Sequence, residues 1–408
     1  MSFELRPVVD EEFAAFARLV DAGFGHAPSE EEIAYARTQC RLDRTLAAFD
    51  GSEMVGTAGA KDLEVTVPGG ASMRAAGITA VGVRMTHRRR GVMRAMMARQ
   101  LADLAASGEP LAVLTASESL LYGRFGYGLA TQVLGVAIES RHSRFAAPVL
   151  VGGRLRSIDG AEARKVLPSY FEQTRRRRPG EISRNEAWWD KEAEDPAWWR
   201  DGRGAKFWLV HEGTDGGIDG FVSWRVAENW ADEIARNRVD VIDLLGSNDL
   251  VEAALWRAVL DLDLVAEVFA ERPVDEPLRW RLEDPRRLRT RNLRDFLWVR
   301  LLDVPAALAA RIYGIDATLT ISVATTFPEP RVDTYELVGG PEASSCRPSS
   351  RSADLSLGLA ELGAIYLGGV RPSMLLRAGR VVEHRPGAVR DADLMFTTAT
   401  PPFCRTEF

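Results

Sequence analysis

Hydrophobic and polar positions in the first third of the chain fall into two rhythms. Short apolar runs bounded by turn residues mark strands: Thr45 to Phe49, a turn at Asp50-Gly51, and a second run from Val55. Pro68-Gly69-Gly70 marks another turn, and Ala75 to Arg84 reads as the strand after it. The rhythm then turns helical, with Val92, Met96 and Leu101 sharing a face with Ala95 and Leu104. Pro110 to Thr115 and Gln132 to Ile138 return to strand. Such alternation defines an α/β domain, although strand order cannot be derived from it.

A loop rich in Arg, His, Ala and Pro, Arg141 to Pro148, ends this first segment. The second repeats the mixed pattern, with strands near Phe207 to Val210 and Phe221 to Trp224. Its helix, Leu250 to Leu260, is capped by Asn248-Asp249. The last segment opens on a proline-started helix, Val304 to Leu308. Strands are expected at Ala317 to Val323 and Arg331 to Val338, a polar loop at Ser344 to Ser352, and a helix at Ala360 to Tyr366. The boundaries so drawn are 1–146, 147–303 and 304–408.

Composition narrows the class. A chain of 408 residues is too long for one core. No charge-free stretch has membrane-spanning length, and the first residues lack the basic-then-apolar order of a signal peptide. Cys40, Cys346 and Cys404 are too few and too scattered for a metal site or a disulfide framework, which fits a reducing cytoplasm. A net charge of -6 argues against bulk nucleic-acid binding and suits a cationic small substrate.

The run from Ile78 to Arg94 carries the strongest chemical signal. A strand passes through the turn Thr86-His87-Arg88-Arg89-Arg90-Gly91 directly into an amphipathic helix. A helix N-terminus presents unpaired N–H groups and partial positive charge, so it receives phosphate. Gly91 lets the backbone approach an anion, and the arginines add charge-assisted hydrogen bonds. An arginine triplet alone reads as a solvated shoulder; the strand before it and the helix after it favour the anion site.

This turn resembles the pyrophosphate loop of GNAT acetyltransferases, with Arg88 and Gly91 in place and Met93 where a small residue is usual. Ala116-Ser117-Glu118, Tyr122-Gly123-Arg124-Phe125-Gly126-Tyr127-Gly128, Val304 to Leu308, Ile365 to Gly369 and Glu407-Phe408 extend the match. Together they resemble the Eis (enhanced intracellular survival) family. The resemblance covers most of the chain, weakly in the middle. It implies tandem GNAT domains, the second degenerate, followed by a sterol-carrier-protein-like domain whose end reaches the first active site. It also implies a homohexamer, acetyl-CoA as acetyl donor without a metal, and acetylation of polyamines such as aminoglycosides.

On that resemblance Tyr122 is the general acid. A phenol with a pKa of about 10 keeps its proton at neutral pH and can give it to the departing thiolate. Tyr127 is expected to pack. The resemblance makes the C-terminal carboxylate of Phe408 the base that takes the ammonium proton. A free α-carboxylate, pKa about 3.5, is a poor base unless burial raises it. The aromatic rings of Phe403 and Phe408 argue against a frayed end.

The coenzyme is expected along Val81, Gly82 and Val83 and at Arg88, Arg89, Gly91 and Val92, with Ser117 near the thioester. Thr79, Glu407 and the loop histidine His26 are assigned to the substrate, with Asp21 and Glu30 as weaker contributors. The tryptophans Trp188, Trp189, Trp198 and Trp199 read as packing, and Arg175 to Arg178 as an exposed helix end. No Cys or Ser sits in a nucleophile motif, so transfer is expected to be direct. Two other readings stand beside this one. One is a protein lysine N-acetyltransferase using the same first domain. The other is a non-catalytic carrier of an apolar ligand with vestigial coenzyme A binding.

Overall fold

The computed structural model describes residues 3–408. It contains two compact units that do not follow chain order. One comprises the residues up to Thr131, the segment Arg178–Ser183 and everything from Asp295 to Phe408; the other comprises Gln132–Arg177 and Arg184–Arg294.

The first third of the chain supplies strands β1 (Glu4–Arg6), β2 (Thr45–Asp50), β3 (Glu53–Thr66), β4 (Ser72–Val83), β5 (Leu111–Thr115) and β6 (Gly128–Leu129). Helices α1 (Phe13–Gly23), α2 (Glu30–Gln39), α3 (Val92–Ala106) and the single turn α4 (Ser119–Tyr122) lie between them. The next stretch forms β7 (Gln132–Glu139), β8 (Arg154–Ile158), β9 (Phe207–Glu212), β10 (Ile218–Ala227), the small hairpin β11 (Trp230–Ala231) and β12 (Ile234–Ala235), β13 (Asn237–Gly246), β14 (Val265–Arg272) and β15 (Arg289–Asp295). With them come α5 (Gly160–Arg175), α6 (Glu186–Glu194), α7 (Asp249–Leu260) and α8 (Leu278–Arg281). The chain ends with β16 (Leu297–Leu301), α9 (Val304–Ala309), β17 (Ala317–Thr325), β18 (Arg331–Gly339), β19 (Ser344–Pro348), β20 (Leu355–Gly358), α10 (Leu359–Tyr366), α11 (Pro372–Arg377), β21 (Val381–Glu383) and α12 (Ala388–Phe396).

The first sheet has the order β1-β2-β3-β4-β5-β16-β6, and the second the order β15-β7-β14-β13-β10-β9-β8. Two strands are therefore exchanged relative to the sequence. β7 follows the first segment directly but pairs with β14, whereas β16 comes from beyond the second segment and pairs with β5 and β6.

Both sheets are covered on two faces, as strand alternation requires. In β2, Leu46 and Ala48 pack with Val92 and Met96 of α3. Ala47 and Phe49 of the same strand pack with Phe13 and Phe16 of α1. In the second unit Val222 and Val239 meet Val251, Leu255 and Val259 of α7. Phe221 and Trp208 meet Leu167 and Phe171 of α5. The expected cap of α7 is present, with Asn248 accepting bonds from the N–H groups of Leu250 and Val251.

A third sheet, β19-β18-β17-β20-β21, carries the C-terminal segment. Helix α10 lies so close to β6 and β16 that a side chain on Gly128 would meet the Ala360 carbonyl oxygen at 1.8 Å. Such backbone-to-backbone approach leaves room for glycine alone.

Two expectations are corrected. Ser344 to Ser352 is not a loop throughout, since Ser344–Pro348 pairs antiparallel with β18. Its polar residues suit an edge strand, and Arg347 reaches Glu336 on the neighbouring strand. Arg175 is not an exposed helix end: it is buried against the core with its guanidinium on Glu172. Trp188 and Trp189 pack within the second unit, Trp189 edge-on to Trp188 and Phe171, whereas Trp199 is 46% exposed.

Candidate active site

The first sheet opens where its parallel pair, β4 with β5, ends. β4 and β5 are paired through Ala75↔Leu111, Ala76↔Ala112 and Gly77↔Val113. Beyond Gly77, β4 runs on to Val83 paired with β3, while β5 runs on to Thr115 paired with β16. The two strands thus diverge, and β4 from Ile78 onward presents main-chain groups to the gap rather than to β5. A register shift against β3 falls in the same stretch, between Thr57 and Gly59, and Ala80 there has φ +55°. A left-handed alanine in a strand is a bulge, which bends the strand and re-aims the residues after it. Those residues are Val81, Gly82 and Val83, all half-buried.

β4 leads through the 3-10 turn Met85–His87 to an arginine-rich loop and then to α3. Arg88 and Arg89 are exposed, Arg89 has φ +63° and Gly91 has φ +85°. The first helical bond is made by the Ala95 N–H to the Gly91 carbonyl. The N–H groups of Val92, Met93 and Arg94 precede it and have no intrahelical partner. Val92 is buried in the core, so it fixes the start of the helix while its N–H faces the loop. Asp50 holds the loop's base, within 3.2 Å of His87 and 3.3 Å of Arg90.

Across the gap, β5 passes into Ser117, which is exposed, and then into α4, whose last residue is Tyr122. The Tyr122 ring is buried in one cluster with Ile78 and, at its margin, Val81 of β4. Burial raises its phenol above the ordinary value, and the Glu118 carboxylate adds to the rise. Tyr127 is fully enclosed, edge-on to Tyr122 at 6.1 Å between ring centres.

The end of the chain reaches this same gap. The Thr79 hydroxyl points at a main-chain oxygen of Phe408 at 3.4 Å, longer than an ordinary O–H···O bond. The Phe408 ring lies on Gly77, where a β-carbon would stand 2.9 Å from two ring carbons. Glu407 is exposed. His26 is also exposed; its contacts are to the helices on either side of its loop, with Glu32 of α2 at 3.1 Å and its main-chain N–H on the Asp21 carbonyl of α1. Burial raises the Asp21 carboxyl.

The structure thus brings together Thr79, Phe408 and the β4 edge, and it places Tyr122 in the apolar cluster bordering that edge. Three participants had no signal in the sequence: Gly77, Glu181 and Arg300. Glu181 is buried and bonded to Arg405 and Thr406. Arg300, also buried, donates to the Phe125 and Phe327 carbonyls and so fixes the turn after Tyr122. Each depends on segments distant in sequence, which local patterns do not reveal.

The second unit has a similar parallel pair, β13 with β14, and there the divergence is filled. Arg272 bridges it, donating to the Leu244 carbonyl at 2.7 Å and to Glu252 and Glu276. The start of α7 carries Asn248 as its cap and Asp249 and Glu252 in its first turn instead of a preceding run of arginines. Acidic groups at a helix start oppose a phosphate.

A mixed sheet splayed at its parallel pair, with a glycine-bearing basic loop opening the following helix, defines the GNAT class of acyltransferases. Family models agree: an acetyltransferase (GNAT) domain matches residues 4–130, a second GNAT domain matches 180–301, and a sterol carrier protein domain matches 304–405. The chain is 31% identical to the N-acetyltransferase Eis of Mycobacterium tuberculosis, over the whole of both chains. It is 40% identical to an uncharacterized N-acetyltransferase of Streptomyces coelicolor, over 99% of each. Its fold matches the crystal structure of Eis1 from Mycobacterium abscessus with a TM-score of 0.87 and 33% identity, covering 99% of this chain and 100% of that one. The chain belongs to the Eis family of GNAT N-acetyltransferases.

Proposed function

We propose that this N-acetyltransferase moves an acetyl group from acetyl-CoA directly to a primary amine of a polyamine or aminoglycoside-like substrate. The observation that carries the proposal is the seating of Phe408 against Gly77 and Thr79, at the open edge of β4. Backbone groups of Val81, Gly82 and Val83 face where a pantetheine arm would lie. Arg88, Arg89, Gly91 and the Val92 N–H fit a pyrophosphate. Ser117 and Thr79 flank the place of the thioester. Bound there, acetyl-CoA supplies the acyl group.

In a chain ending at Phe408, the oxygen facing Thr79 belongs to a carboxylate. That carboxylate takes the proton of the substrate ammonium, directly or through a water, which frees the nitrogen lone pair. The amine nitrogen bonds to the acyl carbon as the carbon–sulfur bond breaks. Tyr122 gives its hydroxyl proton to the departing sulfur, and burial keeps that proton in place at neutral pH. Glu407, exposed beside the base, suits a second ammonium of a polyamine, as does His26 a group at the far side of the acceptor region.

A reducing, cytoplasmic setting is part of the proposal, in keeping with three cysteines too scattered in sequence for a disulfide framework. A homohexamer is proposed from the family relationship, with sedimentation as its test. Among the described residues no helix is long and apolar enough to cross a membrane.

Coenzyme A release with a panel of amines tests the proposal: simple monoamines, a linear polyamine, an aminoglycoside and a lysine peptide. Turnover concentrated on the multiply charged small amines supports it. Preference for the peptide would establish the protein-lysine reading, and release with none of them would favour a carrier of apolar ligands.

A further inference from the structure

Residues 178–183 interrupt the second segment in sequence yet belong to the first unit. Their main chain pairs alongside the end of β3. The Gly180 N–H donates to the Thr66 carbonyl at 2.8 Å, and the Thr66 N–H to the Glu181 carbonyl at 2.8 Å. The Ser183 N–H donates to the Glu64 carbonyl at 2.9 Å, and Val65 forms an antiparallel bridge with Ile182. Glu181 is therefore fixed to the sheet by its backbone.

Its side chain is 2% exposed. A carboxylate so buried is costly unless it is paired and hydrogen-bonded. Apart from the N–H of the neighbouring Ile182 at 3.3 Å, the partners of its carboxylate lie in the last five residues of the chain. The Arg405 guanidinium donates to it at 2.7 Å, the Thr406 hydroxyl at 3.0 Å and the Arg405 N–H at 3.4 Å. Neighbouring ties run the same way. The Phe403 N–H bonds to the Pro179 carbonyl at 2.9 Å, and Arg178 bonds to the Pro401 carbonyl at 2.8 Å.

From Thr397 to Phe408 the chain forms no helix or strand. Left to itself, such a tail keeps its conformational entropy and frays. Phe408 is two positions on from Thr406, a reach of roughly 7 Å at full extension. The place of Thr406 thus sets the place of Phe408 closely. The β3–β4 ladder joins both anchor points: Thr66 faces Ser72 at one end, and Gly59 faces Thr79 further along.

We infer that Glu181 is a positioning residue, gripping Arg405 and Thr406 so that the carboxylate of Phe408 meets Thr79 at the open edge of β4. The inference rests on the reading of Phe408 as the base. It also gives the 178–183 excursion a role: the segment leaves the second unit to hold the end of the chain.

The test is a double-mutant cycle between Glu181→Gln and amidation of the terminus, read as kcat and as KM for acetyl-CoA. Glutamine keeps the volume and an acceptor for Thr406 but drops the charge that holds Arg405. In the otherwise intact enzyme kcat should fall on the order of a hundredfold, the scale for a misplacement of about 1 Å, with KM for acetyl-CoA unchanged. In the amidated enzyme the same substitution should change the residual turnover less than twofold, about 0.4 kcal/mol. An equal loss in both backgrounds, or no loss in the intact enzyme, overturns the inference. Full turnover after amidation alone would instead overturn the base assignment. Should Glu181→Gln fail to fold, as judged by thermal unfolding, Arg405→Gln and Thr406→Val replace it in the same cycle with the same criteria.

Discussion

Gly77 lies beneath the ring of Phe408, and the strand pairing that holds Gly77 stops at that residue. The last parallel rung of the sheet and the seat of the chain's end are one position. Gly77→Ala would put a methyl group 2.9 Å from the Phe408 ring and 2.4 Å from Leu63. Leu63 can turn aside, but the ring has to lift. Turnover is expected to fall at least tenfold with KM for acetyl-CoA unchanged, since the coenzyme loop is elsewhere. Steady-state kinetics with both substrates varied checks this.

Tyr122→Phe removes the proposed proton donor and keeps the ring. A loss of about a hundredfold to ten-thousandfold in kcat is expected, with both Michaelis constants near their original values. Tyr127→Phe is the matched control. The Tyr127 hydroxyl is buried and makes no hydrogen bond among the described residues, so its removal should leave kcat unchanged and stability equal or higher. The reverse ranking would move the acid to Tyr127.

Tyr122 also gives a sign for pH. Its pKa is raised in the folded protein by burial and by Glu118, so the phenol ionises more readily in the unfolded chain. The stability this contributes is complete below about pH 10 and is lost as pH rises through the higher folded value. Turnover limited by this acid should hold to the same range. Glu118→Gln removes a negative neighbour and should bring the alkaline limb of kcat downward. An upward move would contradict the assignment.

Arg88→Ala with Arg89→Ala is expected to raise KM for acetyl-CoA on the order of tenfold per arginine, the worth of a charge-assisted hydrogen bond, while KM for the amine stays. Unchanged acetyl-CoA affinity would take the pyrophosphate away from this loop.

Gly128→Ala tests the close approach of α10 to the first sheet. The added methyl group would meet main-chain atoms of Ala360 and Ala364, which cannot turn aside as a side chain would. A loss of about 1–3 kcal/mol in denaturant unfolding is expected. Gly123→Ala meets nothing within 4 Å and should be nearly silent in the same measurement.

The sequence made local elements readable because their signals are local. The strand–loop–helix from Ala75 to Leu104 appears in the fold much as its periodicity predicts, and Asn248 caps α7 as its side chain allows. What stayed hidden involves partners far apart in the chain. Nothing near Leu297 announces that it pairs with Thr115, and nothing near Glu181 announces Arg405. The bulge at Ala80 was also illegible, since alanine carries no preference for a left-handed backbone. Tyr122 and Phe408 were legible only through family resemblance. Their chemistry is ordinary for their residue types, and it is the surrounding geometry that makes them candidates.

The placement of β16 bears on how the molecule comes into being. A ribosome finishes β5 and β6 long before it reaches Leu297, so the two strands that flank β16 wait for a partner made much later. Until then the first sheet has a gap between β5 and the edge strand β6, and the two flanking edges can pair with the wrong chain. Closing that gap spans residues 132–294, so the first unit cannot fold to completion by itself or early in synthesis. A fragment ending near Thr131 is thus an unfinished sheet rather than a small acetyltransferase, and making the whole enzyme calls on whatever shields nascent chains from one another.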